Sequence, residues 1–257
     1  MNEGLILDVI NFGINNKTIF IFSKDSILEK YFIYPPKNSF NYLNKYDKLD
    51  YITVIQYEFQ KKGNRFDFEI KDSYLNLKKN YKKIIISAIF SDLLKNCLAE
   101  GESSSIDYNN IQLFLNFLCL ENKNLIDKEN DLKENISILI LFLYYLISNS
   151  GIIDFSIVKQ TIISDNLLLF FDRFNNHFVV KNNCENKNPH YLKSPKELFY
   201  LLDFKLQNFK DIQNIIDKFI DFEIKNLNNL LFFLSNLYKF SYHRKNIKSL
   251  EFLKYLE

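Results

Sequence analysis

The chain has 257 residues, of which 47% are hydrophobic and 25% charged, with a formal net charge of +2. Such a length and apolar content suit one large or two modest globular domains and exclude an intrinsically disordered chain. Three cysteines without paired spacing (Cys97, Cys119, Cys184) exclude a disulfide framework. The opening MNEGLILDV lacks the basic and long apolar segments of a secretion signal, so a reduced cytoplasmic protein is expected.

Residues 4 to 70 read as five short strands. Leu5, Leu7 and Val9 alternate with Ile6, Asp8 and Ile10, and Thr18–Phe22 is apolar on both faces. Ile27–Tyr34 follows, and Pro35-Pro36 stops it. Tyr51–Phe59 pairs with Arg65–Ile70 across Lys61-Lys62-Gly63-Asn64, where glycine supplies the positive φ a hairpin needs. Five short strands with a longer link between the third and fourth predict a small OB-fold barrel over residues 1–76.

Near Leu77 the apolar period changes from 2 to 3.6, and residues 77–257 are expected to form a mainly helical domain, giving an α+β protein. Tyr81, Ile85, Ile89, Leu93 and Cys97 form one stripe, and Asp107 is placed to cap a second helix carrying Ile111, Phe114, Leu115 and Leu118. After the polar link Glu121–Asn130 comes Asn135–Asn149, apolar from Ile136 to Ile147 except at Ser137. That run is too short to span a bilayer and is flanked by charge, so it predicts a buried central helix. Another helix is expected over Asp154–Ile163. A hairpin is expected at about 167–190, from Leu167–Phe171 and His177–Val180. Ser194-Pro195-Lys196-Glu197 has the form of a capping box. Helices are expected at about Asp211–Phe222 and Leu227–Tyr242, and the chain closes on Ile247–Leu256.

Catalytic signatures are missing. There is no Gly-rich phosphate loop, no Gly-x-Ser-x-Gly and no His-Glu-x-x-His, and the three histidines (His177, His190, His243) are far apart. An enzyme is not expected. His177, Cys184 and His190 share one segment, but their irregular spacing without Cys-x-x-Cys does not make a zinc site, so neither metal nor cofactor is expected.

Cations outnumber acids in two stretches, Glu58–Lys83 and Asn236–Glu257. The first holds Lys61, Lys62, Arg65, Lys78, Lys79, Lys82 and Lys83; the second holds Arg244, Lys245 and Lys248. Interleaved with Tyr57, Phe59, Tyr74 and Tyr81, the first stretch suits phosphate neutralisation with bases stacked on rings. A solvated charged face and a protein-interaction scaffold that never touches nucleic acid remain open, as does an RNA-binding OB protein.

Several short segments, in order, resemble the RecO family of bacterial recombination mediators. Glu3-Gly4-Leu5-Ile6-Leu7 and Lys17-Thr18-Ile19-Phe20-Ile21-Phe22-Ser23 are similar to that family's first two barrel strands. Asp92-Leu93-Leu94 with Glu100-Gly101-Glu102 resembles the start of its helical domain, and Tyr242–Leu253 its closing basic, Lys-Ser and apolar signature. The resemblance implies a non-enzymatic DNA repair protein, cytoplasmic and nucleoid-associated. Such a protein binds single- and double-stranded DNA, anneals strands, associates with RecR, grips the tail of single-stranded DNA-binding protein, and so helps RecA load. It implies a peptide cleft between Tyr108–Leu120 and Lys133–Ile147, with Phe114, Phe117 and Lys133 lining it. Two departures stand out. The family's four-cysteine finger is reduced to Cys184, implying a metal-free hairpin. The basic stretch after the third strand is replaced by Pro35–Ser39, leaving Lys37 and Lys45 to meet DNA there.

Overall fold

The computed structural model describes residues 1–12, 16–34, 46–60, 65–120, 128–155, 158, 167–182, 191–242, 249 and 251. The chain divides into two compact units, Met1–Glu121 with Lys248–Leu256, and Asn122–Ile247 with Glu257. The division therefore falls some way after the change of period near Leu77.

The first unit is built on five antiparallel strands: β1 Asn2–Phe12, β2 Asn16–Ser23, β3 Leu28–Ile33, β4 Thr53–Gln60 and β5 Arg65–Asp72. Their spatial order is β3-β2-β1-β4-β5. Among the described residues, β3 and β5 are not hydrogen-bonded to one another, so the sheet is an open one. Side chains nevertheless meet across its concave side. The Tyr31 ring of β3 lies 5.3 Å from Phe66 of β5 and 5.0 Å from Phe59 of β4. Ile6, Ile19, Ile21, Ile33, Ile55, Tyr57, Phe66 and Phe68 fill that interior.

The alternation expected along β1 is broken by a bulge. Ile6 pairs with Ile21 but Asp8 pairs with Phe20, leaving Leu7 extra. After such an insertion the faces exchange, so Asp8 and Ile10 join the face of Leu5, and Val9 joins that of Ile6.

Helices α1 (Leu75–Lys78), α2 (Tyr81–Cys97) and α3 (Tyr108–Cys119) belong to the same unit. Ser91 Oγ of α2 donates to the Leu7 carbonyl, and Lys95 pairs with Asp8, so the bulge is also where α2 is fastened. The buried face of α2 is Ile86, Ile89, Phe90, Leu93 and Leu94. It shares Ile89 and Leu93 with the expected stripe, but Tyr81 is 60% exposed and Ile85 and Cys97 are only partly buried. Asp107 caps α3 as expected, its carboxylate accepting from Asn109 N at 2.6 Å.

The second unit centres on α4 (Lys128–Asn149), in which every residue from Ile136 to Ile147 is buried. It packs against α5 (Phe209–Ile220) and α6 (Ile224–Ser241). At about 1.5–3 kcal/mol for each large apolar side chain removed from water, this helix supplies much of the unit's cohesion. Strands β6 (Leu167–Asp172) and β7 (His177–Asn182) form the expected hairpin, and β8 (Tyr191–Lys193) adds a third strand in the order β7-β6-β8. Of the helix expected over Asp154–Ile163, all but residues 154, 155 and 158 lie outside the described residues, as does all of Ile247–Leu256 except 249 and 251. Among the described residues no helix is long and apolar enough to cross a membrane.

Candidate nucleic-acid interface

The lysines that the sequence groups together sit at an elbow between sheet and helix. Asp72, the last residue of β5, accepts a hydrogen bond from Tyr74 N at 2.7 Å. Tyr74 takes a left-handed conformation (φ 45) with its ring buried, which turns the chain sharply into α1. Asn80 then caps α2 by accepting from Lys82 N and Lys83 N. Between these two anchors the elbow carries Lys78, Lys79, Lys82 and Lys83, with Leu75 and Tyr81 at 64% and 60% exposure.

Lys78, Lys79 and Lys83 have modest partners. Lys78 Nζ lies 2.7 Å from Asp50, Lys79 Nζ donates to Asn76 Oδ1 at 3.3 Å, and Lys83 Nζ donates to the Leu120 carbonyl at 2.7 Å. Interactions of this kind at a surface are worth about 0–1 kcal/mol, so a phosphate can compete for each ammonium. Arg65 is half-exposed, with Nε 2.8 Å from Asp67. It opens β5 whereas the elbow follows its end, so an eight-residue strand, roughly 25 Å long, separates them. The expected cationic patch is thus drawn out along β5. Lys37, Lys45, Lys61, Lys62, Arg244, Lys245 and Lys248 lie outside the described residues.

The aromatic side chains expected to accompany these cations are mostly interior. Tyr57 is fully buried and donates to Glu29 Oε2 at 2.6 Å, an acceptor it shares with Tyr31 at the same distance. Burial first, then the hydrogen bond to Glu29, holds the hydroxyls of Tyr31 and Tyr57 well above the usual tyrosine range. Phe59 packs on Tyr31, and Tyr74 is buried. Of the four expected stacking rings, Tyr81 alone is exposed. Alternation explains the two on β4, whose side chains point into the curled sheet.

A different set of rings faces outward. On the convex side of β1–β3, Ile10, Thr18 and Phe32 form one cross-strand row, and Asp8, Phe20 and Lys30 form the next. Further along the strands, on the same face, Leu5, Phe22 and Leu28 are buried, Phe22 5.9 Å from Tyr108 of α3. The outermost row is more open: Ile10, Phe32 and Tyr34 are 45%, 46% and 53% exposed. Phe12 meets Phe32 and Tyr34 edge-on at 6.5 and 5.9 Å. Lys30 Nζ lies 5.6 Å from the Phe20 centroid and 5.1 Å from that of Phe32, and Lys95 Nζ lies 4.6 Å from Phe20. On β2 and β3 this set follows an unbroken period-2 register, and only on β1 does the bulge at Leu7 hide it.

The residues suggested to line a peptide cleft are differently placed. Phe114 and Phe117 are 0% and 4% exposed, and Phe114 packs edge-on against Phe90 at 6.0 Å. Both belong to the core of the first unit. Lys133 belongs to the second, where its ammonium pairs with Glu129 at 3.0 Å and donates to the Ile220 carbonyl. The three residues therefore make no site within either unit. Among the described residues no group of three or more His, Cys, Asp or Glu is arranged to hold a metal ion, and Cys184 and His190 lie outside those residues. Set against models of known protein families and against curated proteins, the chain matches none.

Proposed function

We propose that this protein is a non-enzymatic DNA repair and recombination mediator of the RecO type. In this reading it binds and anneals single-stranded DNA and, with RecR and single-stranded DNA-binding protein, assists RecA loading. The observation that carries the reading is the strand order β3-β2-β1-β4-β5, with β1 flanked by β2 and β4 and a cationic elbow following β5. That is the order of an OB-fold barrel opened at its β3–β5 seam, and here the rings of Tyr31 and Phe66 bridge the seam. OB barrels that bind oligonucleotides do so without reading sequence, through cations along the backbone and aromatic surfaces under the bases. Lys78, Lys79, Lys82, Lys83 and Arg65 supply the first ingredient, and Lys37, Lys45, Lys61, Lys62, Arg244, Lys245 and Lys248 extend it in the same reading.

The test is a charge-removal series. Lys61, Lys62 and Arg65 changed together to Ala should weaken binding to every DNA sequence alike. They should also reduce the log–log salt slope by about 1–2, at roughly 0.7 for each single-strand phosphate left without its cation. Thermal stability should hold at Arg65, which is half-exposed and held by a surface ion pair. A triple variant that binds and anneals strands as the parent does removes these residues from the interface.

A further inference from the structure

We propose that the uncovered upper half of the convex β1–β3 face, made by Phe12, Phe32 and Tyr34 with Lys30 beside them, is a platform on which unpaired bases of a nucleic-acid strand stack. The proposal rests on the nucleic-acid reading above and adds to it which surface takes the bases and why the strand must be single.

Four observations converge. First, the face is divided. Leu5, Phe22 and Leu28 are buried, whereas Phe32 and Tyr34 leave about half their surface in water on a well-formed strand and the residue following it. Second, the exposed rings are not loose. Phe12 stands edge-on to both, at 81° and 84°, which fixes their planes and leaves their outer faces open. Third, the Lys30 ammonium sits between Phe20 and Phe32, and its carboxylate partner Glu100 is 3.9 Å away and itself 59% exposed. A weak, solvated pair of that kind yields to a phosphate. Fourth, Lys95 is tied to Asp8 beneath Phe20, so that ring is already held by a cation, and the free stacking surface is that of Phe32 and Tyr34.

The occupant follows from this chemistry. A base presents two apolar faces and hangs one sugar away from a phosphate, which matches a ring with an ammonium a few ångströms off. In a duplex those faces are occupied by neighbouring bases, so the platform contributes only when the strand is unpaired. Thr18, between Ile10 and Phe32, is 7% exposed, so no polar side chain in this row reaches up to read a base edge. Binding should be indifferent to sequence.

The experiment uses the full chain and two variants. In fluorescence anisotropy, Phe32→Ala with Tyr34→Ala should weaken binding to labelled oligo(dT) by roughly tenfold or more for each ring removed. Binding to a blunt duplex should change by less than about threefold, because the phosphate backbone dominates there. The chain contains no tryptophan, so Phe32→Trp installs a unique reporter. Its fluorescence should be quenched by the single strand and unaffected by the duplex. A double variant that binds oligo(dT) like the parent, with the indole unresponsive, overturns the platform and leaves the nucleic-acid reading standing. A parent that binds neither strand nor duplex overturns both, and the exposed rings are then a docking face for another protein.

Discussion

Gly4 stands in β1 where that strand is clasped between β2 and β4, opposite Ser23 on one side and Ile55 on the other. A methyl group there would run into the Ile21 side chain and the Phe22 carbonyl, neither of which can retreat within a packed sheet. Gly4→Ala should therefore cost about 1–3 kcal/mol, read as a lowered melting temperature, and an unchanged melting curve would contradict the packing at this point. The interior tyrosines give a second residue-level expectation. Burial, reinforced by Glu29, raises the pKa values of Tyr31 and Tyr57 above their unfolded value, so the neutral phenol is favoured in the folded state. Their contribution to stability is complete below about pH 10 and is lost as pH climbs beyond it. Alkaline titration followed by tyrosinate absorbance and by circular dichroism should find these groups ionising together with loss of structure. Early ionisation of all the tyrosines in a still-folded protein would contradict this. These residues also mark a limit of sequence reading. Tyr57 and Phe59 beside lysines look like a stacking surface in one dimension, yet strand alternation points Tyr57 inward and Phe32 outward.

Among the elements, α4 was the most legible, because a run apolar on every side has only a core or a membrane to lie in. Leu143 at its centre is fully buried, and Leu143→Ala should destabilise by about 2–5 kcal/mol in denaturant melts. An unchanged denaturation midpoint would contradict its central place. Caps were legible where the side chain was free to turn back on its own helix. Asp107 does so on α3. On α5 no cap is expected from the sequence, and the helix begins earlier than expected, behind Asn208, which forms a reciprocal capping box with Asp211. Ser194 does not. Its backbone N–H donates to the Leu169 carbonyl at 2.9 Å, which keeps it in line with the sheet. Pro195 takes the cap position of a short 3-10 helix (Lys196–Leu201), leaving Ser194 Oγ buried without a partner. Asp107→Ala should cost about 0.5–2 kcal/mol, and Ser194→Ala should cost little or nothing, both read from thermal melts. The bulge at Leu7 had no signal in the pattern of apolar residues, since Leu5, Ile6 and Leu7 form an unbroken apolar run that reads alike on either face. That single insertion is why the outward face of β1 could not be read in advance.

At the scale of the whole molecule, the change of hydrophobic period near Leu77 correctly separated the five N-terminal strands from the helices that follow, but not the two units. Helices α1 to α3 close the first unit because Ser91 and Lys95 are fastened to β1, a long-range attachment that no local pattern records. The RecO-type reading is a statement about the surface of that unit: cations drawn out along β5 and its elbow, and rings open on β1–β3. Its most direct test is equilibrium binding of the parent protein to a labelled single strand, followed by anisotropy across a series of salt concentrations. The reading predicts tight binding at low salt and a linear fall of log K with log salt, with a slope of about −0.7 for each phosphate engaged. Three or more engaged phosphates should give a slope of about −2 or steeper, the same for unrelated sequences. No binding at low salt, or binding whose strength does not depend on salt, would contradict it.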